Sequence, residues 1–269
     1  MVIDVENTVK EVEKEIEYLK SKTEKPKLLS LTTKLNGSIK AYLNSQAEIA
    51  KKYGIDFEYI KSDNLYEDIK KYNKDISVDA LFIAKPLKKD YDDKQVAKLI
   101  NPKKDIEGIS YHNIAAMFYE DEYFIPCTAE SAVKILEDNL NITGKKIALM
   151  GRSYTVGKPI SILLQKKGRD ATLTLINSKT KGQKEITKSA DAIIIAIGIA
   201  EYLNEDFVSK GQKVIDVGIN VENGKLVGDA KKTISKICDV TPVPGGVGNV
   251  TSTILMRNVY RAKILNRGF

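Results

Sequence analysis

The 269-residue sequence has no tryptophan, one histidine (His112) and two cysteines (Cys127 and Cys238). The cysteines lie far apart and form no C-x-x-C pair, so no disulfide framework is expected. With the one histidine they fall short of a zinc ligand set, and no metal site is expected. A Cys–His nucleophile would have to be built from Cys127 and His112 alone. The plainer reading makes His112 a surface or hinge residue and Cys127 a small, soft packing residue. No apolar run reaches the roughly 18 residues of a membrane span. The longest, Ala192 to Ile197 with its flanks, reads as a buried strand. Met1 to Val5 leads into a charged amphipathic stretch and not into a basic-then-apolar leader. These absences predict a cytoplasmic protein with no membrane partner. The net charge of +7 raises nucleic acid as a partner, but 36 acids are interleaved with the basic residues. No basic stretch alternates with aromatics to stack bases, so no nucleic-acid partner is expected. The charge suits a solvated surface or the attraction of a polyanionic small molecule.

What is present is a strand–helix alternation over a chain that is 42% hydrophobic, enough for a core. Val5, Val9, Val12, Ile16 and Leu19 recur at helical spacing, with Asp4 as the expected cap. Strands are predicted at Lys27–Thr32, Asp56–Ile60 and Val78–Ala84, and helices at Ser38–Tyr53, Tyr66–Tyr72 and Asp93–Ile100. The alternation restarts with a helix at Thr128–Asn139, a strand at Lys145–Met150 and a helix at Gly157–Gly168. Strands follow at Ala171–Ile176, Ala192–Ile197 and Lys213–Val217, and a long helix covers Val250–Leu265. The pattern predicts an α/β protein whose second half is a Rossmann-like, doubly wound parallel sheet. The domain junction is expected near Glu120 to Ile125.

Three segments point to chemistry. Gly151-Arg152-Ser153-Tyr154-Thr155-Val156-Gly157-Lys158-Pro159 follows a buried strand and opens a helix. That is where a dinucleotide pyrophosphate meets helix amides, and glycine lets the backbone come close. After the next strand, Asn177-Ser178-Lys179-Thr180 lacks the acid that would bind a ribose 2′-hydroxyl. Its hydroxyl and cation, with Arg152, suit a 2′-phosphate instead. The third segment, Thr241 to Thr251, packs three glycines and two prolines into eight residues, Pro242 to Asn249, before a helix. Such a stiff loop exposes main-chain groups to a ligand.

G-R-S-x-x-V-G-x-P, I-D-V-G-I-N (Ile215 to Asn220) and P-V-P-G-G-V-G occur in this order. With Lys104-Asp105-Ile106-Glu107-Gly108 and Ile125-Pro126-Cys127-Thr128, the set resembles the methylenetetrahydrofolate dehydrogenase/cyclohydrolase family from about Leu28 onward. The resemblance implies two α/β domains flanking a cleft. Residues 1–122 plus 249–269 would form a folate-binding catalytic domain, and 123–248 the NAD(P)-binding domain. It implies a homodimer, tetrahydrofolate derivatives as ligands, and NADP as cofactor. The pterin would lie inside the cleft and the glutamate tail outside. Carried over to this chain, Tyr42 lies against folate, and Glu107 stands where the family usually has an Asp that binds the pterin. Gly151, Arg152, Ser153, Ser178 and Ile219 match NADP contacts, and Pro244, Gly248 and Thr251 the loop between the ligands.

The sequence departs from the family in two further stretches. The family's hydrolytic step is associated with Tyr-x-x-x-Lys, where this chain reads Tyr42-Leu43-Asn44-Ser45-Gln46. Tyr42 and Gln46 share one helix face, and Gln cannot titrate. The family's Q-L-P-L is Ala84-Lys85-Pro86-Leu87 here. The resemblance therefore implies NADP-dependent oxidation of 5,10-methylenetetrahydrofolate in one-carbon metabolism, with cyclohydrolase activity absent or weak. Three alternatives stand beside it: a fully bifunctional enzyme using Lys85, a shikimate-type dehydrogenase on the same nucleotide domain, and a non-catalytic folate- or nucleic-acid-binding protein.

Overall fold

In the computed structural model, which describes residues 1–267, strand and helix alternate as the sequence pattern requires. The first elements are α1 (Glu6–Lys20), β1 (Lys27–Thr32), α2 (Gly37–Lys52), β2 (Asp56–Lys61), α3 (Leu65–Lys74), β3 (Ala80–Ala84), α4 (Asp93–Leu99) and α5 (Tyr111–Ala116). Then come α6 (Cys127–Asn139), β4 (Lys146–Met150), α7 (Gly157–Gln165), β5 (Thr172–Ile176), α8 (Gln183–Lys188), β6 (Ala192–Ile195) and β7 (Lys213–Asp216). The short β8 (Asn220–Glu222), β9 (Lys225–Val227) and β10 (Asp239–Val240) precede α9 (Val247–Arg267).

Chain contacts define two units, one of Met1–Glu11 with Thr128–Thr251, the other of Val12–Cys127 with the chain from Ser252 onward. The sequence boundaries put the opening residues with the second of these. In the structure, Val2 bridges Val240, and the Ile3 amide donates to the Val240 carbonyl at 2.9 Å. Backbone pairing beside β10 thus decides where the first residues belong.

The unit holding β1 to β3 has a parallel sheet in the order β2-β1-β3. The central β1 and its neighbour β3 are buried on both faces and read as nearly continuous apolar runs, whereas the edge strand β2 keeps polar residues on its open positions. Leu29, Leu31, Leu81 and Ile83 pack there against Leu65 and Ile69 of α3. Asn36 caps α2 by accepting from the Ile39 amide at 3.0 Å. That cap fixes where α2 starts, and so where the face bearing Tyr42 and Gln46 lies.

The other unit has a five-stranded parallel sheet in the order β10-β7-β6-β4-β5. β4 pairs with β5 on one side and β6 on the other, so the chain reverses its direction of travel across the sheet at β4. Ligands of doubly wound sheets bind at the carboxyl ends of strands at such a switch point. The predicted strand Ala192–Ile197 ends at Ile195. The physical reason is local: the Ile197 and Gly198 amides donate to the Asp229 carboxylate in place of a strand neighbour. α5, α8, the β8–β9 hairpin and β10 had no strong periodic signal, being two to six residues long.

Candidate active site

At the carboxyl ends of β4, β5 and β6 a cavity of about 330 Å³ opens. Gly151, Arg152 and Ser153 form one wall, Asn177 and Ser178 a second, and Ile197 and Ile199 a third. Gly151 has φ +122°, and a Cβ there would collide with the Ala196 carbonyl, so only glycine lets the β4–α7 turn pass so close to β6. Ser153 Oγ accepts from the Val156 amide at 3.2 Å and the Gly157 amide at 3.4 Å, stitching the turn to the start of α7. Four of the predicted cofactor residues, Gly151, Arg152, Ser153 and Ser178, therefore share one cavity. Ile219 does not line it and is 64% exposed.

The cavity wall contains no acid. Arg152 makes no ion pair among the described residues, so its fork of donors has no carboxylate to compete with an anion. Sequence reasoning missed Gln183 and Tyr202, which line the same cavity. The Tyr202 hydroxyl donates to Gln183 Oε1 at 3.0 Å, and Gln183 Nε2 donates to the Asn177 carbonyl at 3.2 Å. Neither residue belongs to a recognisable motif, and the fold alone brings them to the pocket. These residues fit an NAD(P) ligand: an apolar slot with a glycine turn, a free guanidinium and hydroxyls.

The other unit gathers Tyr42, Gln46, Lys85 and Glu107. Gln46 is 5% exposed, and its Nε2 donates to the Tyr42 hydroxyl at 3.1 Å. Gln46 Oε1 is buried without a hydrogen-bond partner. A buried, unanswered acceptor is costly unless a ligand donor meets it. Tyr42 itself is 46% exposed, with its ring 6.2 Å from that of Phe82 on β3. Loss of hydration at its hydroxyl raises the phenol pKa, with the charges of Glu107 and Cys127 adding to the effect.

Glu107 lies in a turn held from both sides. Asp105 Oδ2 accepts from the Ser110 amide at 2.6 Å and Asn113 Nδ2 at 3.0 Å. The Cys127 amide donates to the Glu107 carbonyl at 3.2 Å, while Asn258 Nδ2 donates to the Ile106 carbonyl at 2.9 Å. Poor hydration pushes the Glu107 carboxyl up to about 8; Asp105 adds to the rise and Lys85 opposes it. Lys85 itself pairs with Asp93 at 3.2 Å. Its charge thus reaches Glu107 while its ammonium is held on Asp93.

The remaining predicted residues lie in the nucleotide unit. Pro244 lines a second cavity of about 430 Å³ with Asp216 and Thr241. Thr251 Oγ1 donates toward the Val247 carbonyl at 2.8 Å and lies 3.0 Å from Ser131 Oγ, while Gly248 sits exposed in the first turn of α9. His112 stacks on Tyr123 with ring centroids 5.4 Å apart. Cys127 is buried, its thiol donating to the Ile106 carbonyl at 3.1 Å. The two are engaged separately, with no nucleophile–base geometry. No cluster of three or more metal-ligating side chains occurs among the described residues. No helix among them is long and apolar enough to cross a membrane.

Comparison with known proteins gives consistent matches over both units. Residues 4–107 match the tetrahydrofolate dehydrogenase/cyclohydrolase catalytic domain, and residues 126–267 the NAD(P)-binding domain of the same family. The bifunctional protein FolD of Petrotoga mobilis is 55% identical over 269 residues, covering 100% of this chain and 98% of the relative. A crystal structure of the bifunctional 5,10-methylenetetrahydrofolate dehydrogenase/cyclohydrolase from Thermoplasma acidophilum superposes with a TM-score of 0.91 at 28% identity, covering 100% of both chains. A 5,10-methylenetetrahydrofolate dehydrogenase from the silkworm Bombyx mori gives a TM-score of 0.88 at 30% identity, covering 100% of this chain and 99% of that one.

Proposed function

The chain belongs to the tetrahydrofolate dehydrogenase/cyclohydrolase family, and from that membership we propose that it oxidises 5,10-methylenetetrahydrofolate to 5,10-methenyltetrahydrofolate with NADP, its cyclohydrolase activity being absent or weak. The observation that carries the redox half is the acid-free cavity beside β4 with Arg152 and Ser178 in its wall. A 2′-phosphate finds a guanidinium and a hydroxyl there, and no carboxylate repels it. When bound, NADP supplies the two-electron acceptor for the oxidation.

The chain's own residues have a positioning task. The methylene carbon lies between two nitrogens whose lone pairs stabilise the cation left by oxidation, so neither a metal nor a strong base is needed. Tyr42 offers an aromatic face to the folate, and Glu107 offers a carboxyl to the pterin donors. Holding the reacting carbon in a near-attack pose is the main contribution asked of the protein.

Hydrolysis of the methenyl product asks for more: a group that can take a proton from the attacking water. Gln46 occupies the position one turn after Tyr42, and its amide nitrogen donates to the Tyr42 hydroxyl. It can orient water but cannot carry a proton. Lys85, the alternative amine, is held by Asp93. We also propose that the protein is a homodimer, which sedimentation analysis of the purified chain would test.

The decisive experiment is a pair of assays on the purified protein. NADPH formation from methylenetetrahydrofolate is expected, faster than NADH formation. Methenyltetrahydrofolate hydrolysis is expected to stay near the spontaneous rate. No NADPH formation would overturn the dehydrogenase reading; hydrolysis matching the dehydrogenase rate would overturn the single-activity reading.

A further inference from the structure

Two buried carboxylates join the loops at the carboxyl ends of β6 and β7. Asp216 and Asp229 are 3% and 0% exposed, and neither pairs with a Lys or Arg among the described residues. Their oxygens are taken up by backbone and amide donors instead. Asp216 Oδ1 accepts from the Gly218 and Asp229 amides, both at 3.0 Å, and its Oδ2 accepts from the Ala230 amide at 2.9 Å. Asp229 Oδ2 accepts from the Ile197 amide at 2.7 Å and the Gly198 amide at 2.9 Å. Its Oδ1 accepts from Asn220 Nδ2 at 2.9 Å.

The arrangement is ordered. Asp216, at the end of β7, fixes the backbone of residues 229 and 230. Asp229, so placed, reaches across to the segment after β6 and to Asn220 after β7. Gly228 is required for this approach, because a Cβ there would collide with Asp216 Oδ2. Burying two acids without counter-ions is costly unless hydrogen bonds replace the lost water. Burial does raise the Asp216 carboxyl to about 6, against the pull of three backbone amides. An apolar filling would strand the five backbone amides that these carboxylates accept, so the two acids hold a backbone path that no apolar side chain could hold.

The segment that Asp229 grips has a role of its own. Ile197 and Ile199 line the 330 Å³ cavity together with the glycine turn and Ser178. The amides of Ile197 and Gly198 leave the β-ladder to meet Asp229, so its carboxylate sets the path of this wall.

We propose that Asp229 is a positioning residue for the nicotinamide cofactor: by holding the Ile197–Gly198 backbone and Asn220 together, it fixes the wall against which the cofactor binds. This rests on the reading that the cavity takes NADP. The I-D-V-G-I-N segment thereby gains a physical task, since Asp216 and Asn220 are the two ends of the same latch.

The test uses the full chain, with the NADP dissociation constant measured by calorimetry and the unfolding midpoint by heat. Asp229→Asn replaces a charged acceptor of two amides with a neutral one, and the NADP dissociation constant is expected to rise about tenfold. Asn220→Ala removes one link and leaves Asp229 and both amide bonds in place, so it folds if Asp229→Asn does not; a rise of about threefold is expected. The KM for NADP should rise in parallel while kcat at saturating NADP changes less than twofold. A purely structural role would lower the unfolding midpoint and leave the dissociation constant of the folded protein unchanged, and that result would overturn the proposal. Wild-type binding of NADP with unaltered binding by both variants would overturn it too, leaving the cavity's assignment intact. No binding by the wild type would remove the cavity reading and the proposal together.

Discussion

Gln46 Nε2 donates to the Tyr42 hydroxyl at 3.1 Å, one helical turn away on α2, and Gln46 Oε1 is left buried and unanswered. The pair is therefore closed on one side and open on the other: the phenol is held, and an acceptor waits for a donor. A lysine at this position would reach one bond further than the amide and add a group that titrates when buried. Gln46→Lys is expected to raise methenyltetrahydrofolate hydrolysis at least tenfold over the parent protein, with dehydrogenase turnover within about threefold. Hydrolysis measured in a buffer of low background checks this. If the parent already hydrolyses and Lys85→Ala abolishes it, the amine has moved to Lys85 instead.

Arg152 has no acidic partner among the described residues, and its guanidinium lies in the cavity wall with Ser178. Arg152→Ala should weaken NADP binding by about 1.5–3 kcal/mol, the worth of a charge-assisted hydrogen bond, and leave NAD nearly unchanged. Steady-state KM values for both cofactors provide the comparison. A parallel rise for NADP and NAD would place the phosphate elsewhere.

Tyr202 and Gln183 also line this cavity, and the Tyr202 hydroxyl holds the Gln183 amide oxygen at 3.0 Å. Tyr202→Ala removes wall and lock together. It is expected to raise the dissociation constants of NADP and NAD by similar factors, about tenfold, because the lost contact area is common to both. A selective effect on one cofactor would show that Tyr202 reads the 2′-position.

The carboxyl of Glu107 is pushed up to about 8 by poor hydration and by Asp105. In the proposed function the ionised carboxyl accepts from two pterin donors, and binding in that form below this value releases a proton. The KM for methylenetetrahydrofolate should fall as pH rises, approaching tenfold per unit below about 8 and levelling above it. Glu107→Gln should flatten the profile and leave NADP affinity untouched. The stability sign runs the same way: the folded pKa lies above the unfolded value near 4.5, so the folded state holds the extra proton. Its contribution is full below about 4.5, declines as pH rises to about 8, and is gone above it. Unfolding midpoints of the parent should therefore drop across that window relative to Glu107→Gln. A parallel pair of curves would show an ordinary Glu107.

Gly151 combines φ +122° with a backbone approach that a Cβ would block at the Ala196 carbonyl. Gly151→Ala is expected to cost about 2 kcal/mol or more of stability and to abolish detectable NADP binding, since the β4–α7 turn must shift. Thermal unfolding with and without NADP reports both. A variant as stable as the parent and still stabilised by NADP would show that the turn can relax.

The sequence by itself determined what repeats or breaks a pattern. Continuous apolar runs marked β1, β3, β4 and β6, because strands covered on both faces have no solvent side to alternate with. The glycine turn after β4 was legible because it is local, at a strand end that opens a helix; Tyr42 and Gln46 stood out through the resemblance, and helix spacing added that they share one face. Glu107 was legible only through a resemblance, and its raised pKa was not, since that depends on Asp105, Lys85 and the water they exclude. Tyr202 and Gln183 gave no signal, being 19 residues apart and joined only through the fold. The same holds for Asp216 and Asp229. Each is an unremarkable acid in sequence, and its task depends on amides brought to it by strand order and by backbone that leaves the ladder. Local chemistry is written along the chain; which donors surround a buried carboxylate is decided only when distant segments pack.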